Sequence, residues 1–98
     1  MSMNVVSQTK LREFWATRPS ARGPLTNWYA AASSATWTCF DDVRKTSNSA
    51  DLVNKLVVFN VNSFRVVVDV FYPGRHVFIK HVFTHTEYEK WSKQNQGK

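Results

Sequence analysis

The sequence predicts an α+β domain, with N-terminal helices packed on one face of a small, mainly antiparallel sheet and a short C-terminal helix. Three observations lead there. Near Lys55 the hydrophobic period changes from helical i, i+3, i+4 spacing to a period of two. Two turn signals, Asn62-Ser63 and Pro73-Gly74, cut the alternating stretch into three strands whose apolar sides coincide. Directly after them, Thr84 followed three residues later by Glu87 forms a capping box, the start signal of a helix.

Each element follows from local chemistry. Val5 and Val6 suit a short first strand over 3–6. Ser7 or Thr9 can cap a helix running to about Arg18, with Leu11, Phe14 and Trp15 as its apolar stripe. Pro19 ends it, because the residue before a proline is pushed out of helical geometry. Pro24 suits the first turn of a second helix, whose Leu25, Trp28, Tyr29 and Ala32 share a face before Ser33, Ser34 and Thr36 weaken it. Residues 41–45 allow one further turn, and 46–51 read as polar loop. Strands are expected over roughly 55–61, 64–72 and 75–83, and the closing helix runs through Trp91 with His85 in its first turn.

The turns imply a register. Asn62-Ser63 sets Asn60 opposite Arg65 and Phe59 opposite Val66; Pro73-Gly74 sets Val70 opposite Val77, Val68 opposite Ile79 and Val67 opposite Lys80. One face then holds Val57, Phe59, Val61, Phe64, Val66, Val68, Val70, Val77, Ile79, His81 and Phe83, and should carry the helices. The other is mixed, with Asn60, Arg65 and Lys80 near one another among Val58, Val67, Asp69, Phe71, His76 and Phe78.

Composition narrows the function. The 98 residues (1–98) suffice for a single domain, and 13 Lys and Arg against 7 Asp and Glu give a net charge of +6, which favours a polyanionic partner. A hydrophobic share of 43% excludes a disordered basic tail. No apolar run approaches the ~20 residues of a membrane span, and the N-terminus lacks a secretory core, so an intracellular protein is expected. One cysteine excludes a disulfide framework; flanked by Trp37 and Phe40, Cys39 is expected to be buried.

The mixed sheet face, with a guanidinium, an ammonium, an amide and apolar groups, suits a phosphodiester with a base stacked beside it. The alternative is a solvated face on which Asp69 pairs with Lys80 or Arg65. His85 at a helix N-terminus feels a dipole that disfavours imidazolium, suiting it to move a proton near neutral pH, or it simply helps the cap. Tyr88, three residues on, adds a hydroxyl on the same side. His81 and His85 have an H-x3-H spacing, but His81 belongs to a strand and no further ligand is near, so no metal is assigned. No phosphate-binding glycine loop and no nucleophile motif is present. Lys10, Arg12, Arg18 and Arg22 form a second basic group on or after the first helix.

Several segments together carry a family resemblance. They are Trp37 to Arg44, Ala50-Asp51-Leu52-Val53, Val57-Val58-Phe59-Asn60-Val61, Phe64-Arg65-Val66-Val67, Val77-Phe78-Ile79-Lys80 and Thr84-His85-Thr86-Glu87-Tyr88-Glu89. In this order they resemble the HigB toxin family of bacterial toxin–antitoxin systems, over about residues 4–92. The chain differs from the family pattern in four places. The turn after the VVFN strand is short, Lys80 stands where Arg is common, Phe83 stands where Gly is common, and His81 occupies a variable position.

The resemblance implies a RelE-like fold and a cytoplasmic, metal-independent mRNA endoribonuclease (mRNA interferase) with no cofactor. Such a toxin inhibits translation, acting on mRNA during translation on the ribosome, and is neutralised by a HigA-type helix-turn-helix antitoxin. Operator DNA is reached only through that antitoxin, and no membrane is involved. Carried onto this chain, it makes Arg65, Lys80, His85 and Tyr88 the candidate catalytic residues and Asn60, Asn62, Arg75 and His76 the candidate RNA contacts. The alternative is a non-catalytic RNA- or ribosome-binding module on the same basic face. A third possibility uses Trp15, Trp28 and Trp91, if exposed, to dock a protein.

Overall fold

The computed structural model describes residues 2–96. In chain order the elements are β1 (Asn4–Val6), α1 (Thr9–Thr17), α2 (Arg22–Ser34), α3 (Phe40–Thr46), β2 (Asp51–Val53), β3 (Leu56–Val61), β4 (Phe64–Phe71), β5 (His76–Thr84) and α4 (His85–Gln96). The sheet order is β1-β5-β4-β3-β2, antiparallel except for the parallel pairing of β1 with β5. The α+β class read from the sequence is therefore the one observed.

α1, α2 and α3 contribute Leu11, Phe14, Leu25, Trp28, Ala32 and Val43 to one core, against Val57, Phe59, Val66, Val68, Val77 and Ile79 of the sheet. Phe59 is its centre, 1% exposed, edge-on to Trp28 at 5.4 Å and stacked on Trp37 at 5.6 Å. Phe59→Ala removes both ring contacts from a site with little freedom to collapse. It should cost about 3–5 kcal/mol, a large part of a small domain's stability, measurable as a lower urea midpoint.

Local details depart from the sequence expectations. Neither Ser7 nor Thr9 caps α1: Gln8 occupies the cap position without a side-chain cap bond, and its amide donates to Val5 O at 3.2 Å. Cys39 is exposed, because it precedes α3 on extended backbone while Trp37 turns into the core. Residues 51–53 form a strand that begins at Asp51, the last residue of the expected polar loop. They form a hairpin with β3 through Asn54 and Lys55, both at positive φ (51° and 68°), which is what a two-residue primed turn requires.

The β3–β4 turn is as read, with Asn62 at φ 55°, Asn60 opposite Arg65 and Phe59 opposite Val66. The β4–β5 connection is longer than Pro73-Gly74. The last pair is Phe71 with His76, and Arg75 N–H donates to Tyr72 O at 3.1 Å across the turn. A Cβ on Gly74 would come within 2.8 Å of Phe71 and His76, so close packing keeps that position small.

The main correction lies within β5. Val68 faces Ile79 as expected, yet Val67 faces His81, so Lys80 is an extra residue in a bulge. Past it every β5 residue changes sides. His81 and Phe83 move to the face of Val67 and Arg65, and Val82 turns toward the main core. That second face is also covered rather than open: Val53, Val58 and Val67 are buried with Leu56, Phe83, Tyr88 and Trp91 packed against them. Helices therefore flank both sides of the sheet, α4 alone on the second.

Candidate active site

The end of β5 turns into α4 through the capping box. Glu87 N–H donates to Thr84 Oγ1 at 3.2 Å, and Thr84 N–H donates to Glu87 Oε1 at 2.9 Å. With Thr84 holding the cap, His85 becomes the first residue of the helix. The other carboxylate oxygen of Glu87 meets Arg18 Nη2 at 3.4 Å, tying the end of α1 to the start of α4.

Arg65 approaches the same corner from β4, paired with Asn60 on one side and Phe83 on the other. Its Nη2 lies 3.1 Å from His85 Nδ1, its Nη1 donates to Phe64 O at 3.0 Å, and its guanidinium carbon sits 5.8 Å from the centre of the Tyr88 ring. On the far side of the imidazole, Nε2 lies 3.3 Å from Glu89 Oε2. A guanidinium can only donate and a carboxylate can only accept. The bond from Arg65 therefore makes Nδ1 the acceptor, and the ring proton sits on Nε2, facing Glu89. The cluster thus holds a fixed cation, an imidazole and a phenol. His85 and Glu89 are more than half exposed, so a ligand in solvent can reach them.

Of the residues read from the sequence, the structure brings together Arg65, His85 and Tyr88. Asn60 neighbours Arg65 across the strands, but its amide donates to Ser49 O at 3.2 Å. Asn60 and Asn62 line a cavity of about 510 Å³ with Gly23, Pro24, Trp28 and Trp37. Arg75 and His76 sit at the opposite end of β5 from Thr84; the 9 residues of the strand span roughly 25 Å. Lys80, carried outward by its bulge, lines a groove against α1. Asp69 stands opposite Phe78 rather than taking Arg65. Glu89 is the member that sequence reasoning missed. Its signal was available, since a carboxylate four residues after a helical histidine lies on the same side. Among the described residues no group of three or more His, Cys, Asp or Glu is placed to hold a metal ion.

His81 has a distinct electrostatic setting. Partial burial, then the charges of Lys10 and Lys80, hold its imidazole below the ordinary value of 6.5. With the folded value depressed, the unfolded chain takes up this proton first as pH falls. His81 should therefore cost no stability well above pH 6.5 and an increasing amount as pH drops through the folded value. Urea midpoints between neutral and mildly acidic pH should fall more steeply for the natural chain than for His81→Phe; parallel profiles would contradict this.

No helix of the described residues is long and apolar enough to cross a membrane. No curated protein matches the chain. A family model does, over residues 21–91: the HigB toxin, described as the RelE-like toxic component of a toxin–antitoxin system. The matched stretch contains every member of the Arg65–His85–Tyr88–Glu89 cluster.

Proposed function

Since this chain belongs to the HigB family of RelE-like toxins, with the α+β architecture of that fold and an antitoxin for a partner, we propose that it is an mRNA endoribonuclease working through Arg65 and His85. The observation that carries the proposal is the 3.1 Å approach of Arg65 to His85 beside the Tyr88 ring. RNA supplies its own nucleophile. The 2′-hydroxyl attacks the adjacent phosphorus, the P–O5′ bond breaks, and a 2′,3′-cyclic phosphate and a 5′-hydroxyl result. The protein must accept the proton of the 2′-hydroxyl, return one to the leaving O5′, and stabilise the extra charge on the phosphorane oxygens.

Arg65 meets the charge requirement. When the phosphate takes its N–H groups, His85 Nδ1 is released and becomes the proton acceptor. Glu89 positions the ring and offsets the charge the imidazole gains. Tyr88 offers a hydroxyl as second proton donor, or a ring on which a base stacks. Lys80 adds positive charge for the RNA backbone, and Asn60 orients it; Asn62, Arg75 and His76 lie further out along the bound strand. The enzyme acts in the cytoplasm, on translated messages, and a HigA-type helix-turn-helix protein neutralises it and joins it to operator DNA.

Growth after induced expression tests this reading. The natural chain should arrest growth, co-expression of the antitoxin should restore it, and Arg65→Ala and His85→Ala should each relieve the arrest while remaining folded. If both folded variants stay fully toxic, the assignment of the site is wrong.

A further inference from the structure

We propose that the groove between α1 and the bulged part of β5 binds single-stranded RNA next to the reacting phosphate, using Lys10 and Lys80 for the backbone and the His81–Phe83 pair for a base. The proposal rests on the endoribonuclease reading and names a contact surface for the same substrate.

The groove exists because of two local features. β1 pairs only with His76–Phe78, so from Ile79 onward the outer side of β5 has no strand neighbour and α1 lies beside it. The bulge then turns Lys80 out of the sheet toward that helix. The resulting space, about 320 Å³, has Lys10, Glu13 and Arg18 on the helix side and Lys80, His81 and Phe83 on the strand side.

Its charge is positive. Arg18 is matched by Glu87, and Glu13 is the one carboxylate lining the groove. Among the described residues neither Lys10 nor Lys80 has a carboxylate within ion-pair distance. Lys10 lines the groove from the helix and Lys80 from the strand, so both ammonium groups border one space. Two cations bordering one space repel each other, and an anion between them offsets that repulsion.

Beside the cations stands an aromatic surface. His81 and Phe83 are stacked at 5.0 Å with ring planes 14° apart, and Trp91 lies 5.8 Å from each. His81 is exposed, so a base can approach its ring from solvent. Backbone cations next to stacked rings are the combination by which proteins hold single strands without reading sequence. The groove is also continuous with the cluster: Phe83 is the cross-strand partner of Arg65, and Arg18 holds Glu87, two residues beyond His85. A strand lying along Lys10, Lys80 and Phe83 therefore arrives at Arg65.

The test is fluorescence anisotropy with a labelled single-stranded 12-nucleotide RNA, 2′-O-methylated throughout so that it cannot be cut, titrated at several salt concentrations. Lys10→Gln/Lys80→Gln should bind more weakly, with the slope of log affinity on log salt reduced by about 1.4, since each phosphate contact on a single strand contributes about 0.7. His81→Ala should weaken binding roughly fivefold or more with the slope unchanged, because a lost stacking contact is not ionic. Wild-type affinity and slope in the double variant would overturn the proposal. So would a variant that keeps RNA binding but no longer co-purifies with the antitoxin, since the groove would then be a protein interface. Failure of the enzymatic reading shows separately, as absence of cut messages in cells producing the natural chain.

Discussion

Arg65→Ala should cut RNA about 10²- to 10³-fold more slowly than the natural chain, the usual loss when one fixed donor to a developing oxyanion is removed. The expectation follows from where the guanidinium sits. Its backbone is held in the middle of the sheet, between Asn60 and Phe83, while its side chain reaches the surface at His85. The charge is thus placed before substrate arrives and needs no reorganisation at the moment of reaction. Because Arg65 belongs to neither buried core, truncation should leave the unfolding midpoint nearly unchanged. Arg65→Lys separates charge from geometry: an ammonium retains the attraction to phosphate but not the planar pair of donors, so it should recover only part of the rate. Single-turnover rates at saturating RNA, with near-native circular dichroism for each variant, measure both. Full activity of folded Arg65→Ala would remove the residue from the mechanism.

His85→Ala should lose about 10²- to 10⁴-fold, the range expected for a positioned acid or base. Its neighbour gives the sharper distinction. Glu89 meets the ring at Nε2, so its assigned role is to position the imidazole. Glu89→Gln still accepts a hydrogen bond from Nε2–H through its amide oxygen and should cost less than His85→Ala. Glu89→Ala frees the ring and should cost more than the glutamine variant. The tautomer provides a readout independent of turnover: long-range proton–nitrogen correlations should show the His85 proton on Nε2 in the natural chain and a mixture in Glu89→Ala. A histidine that served only the helix cap would show the tautomer change without the loss of rate.

How far these features were visible in the sequence depended on whether a polar residue marked them. Asn62-Ser63 announced its turn because asparagine tolerates the left-handed backbone found there, and the register of β3 on β4 followed. The bulge at Lys80 had no such marker. Val66, Val67 and Val68 are the same residue type on alternating faces, so a one-residue slip opposite them leaves the pattern apolar either way. For that reason His81 and Phe83 were assigned to the wrong side, and the aromatic surface they form was hidden. The β2–β3 hairpin was missed because Lys55 at positive φ is an unusual turn residue. Covering of the second face by α4 was also obscure, since among the described residues only Tyr88 and Trp91 contribute its apolar contacts. The site was more legible. The capping box located His85, the first turn located Arg65, and the contact between them required only that the last strand run directly into the helix.

On the function proposed above, this toxin cuts RNA by 2′-hydroxyl attack at the Arg65–His85 corner. The most direct measurement is a map of cellular RNA ends shortly after induction, with 5′-hydroxyl and 2′,3′-cyclic phosphate ends captured selectively. New paired ends of these two kinds are expected within coding regions for the natural chain, and none above background for folded Arg65→Ala or His85→Ala. Growth arrest by the natural chain without such ends, or the same ends produced by both variants, would contradict it.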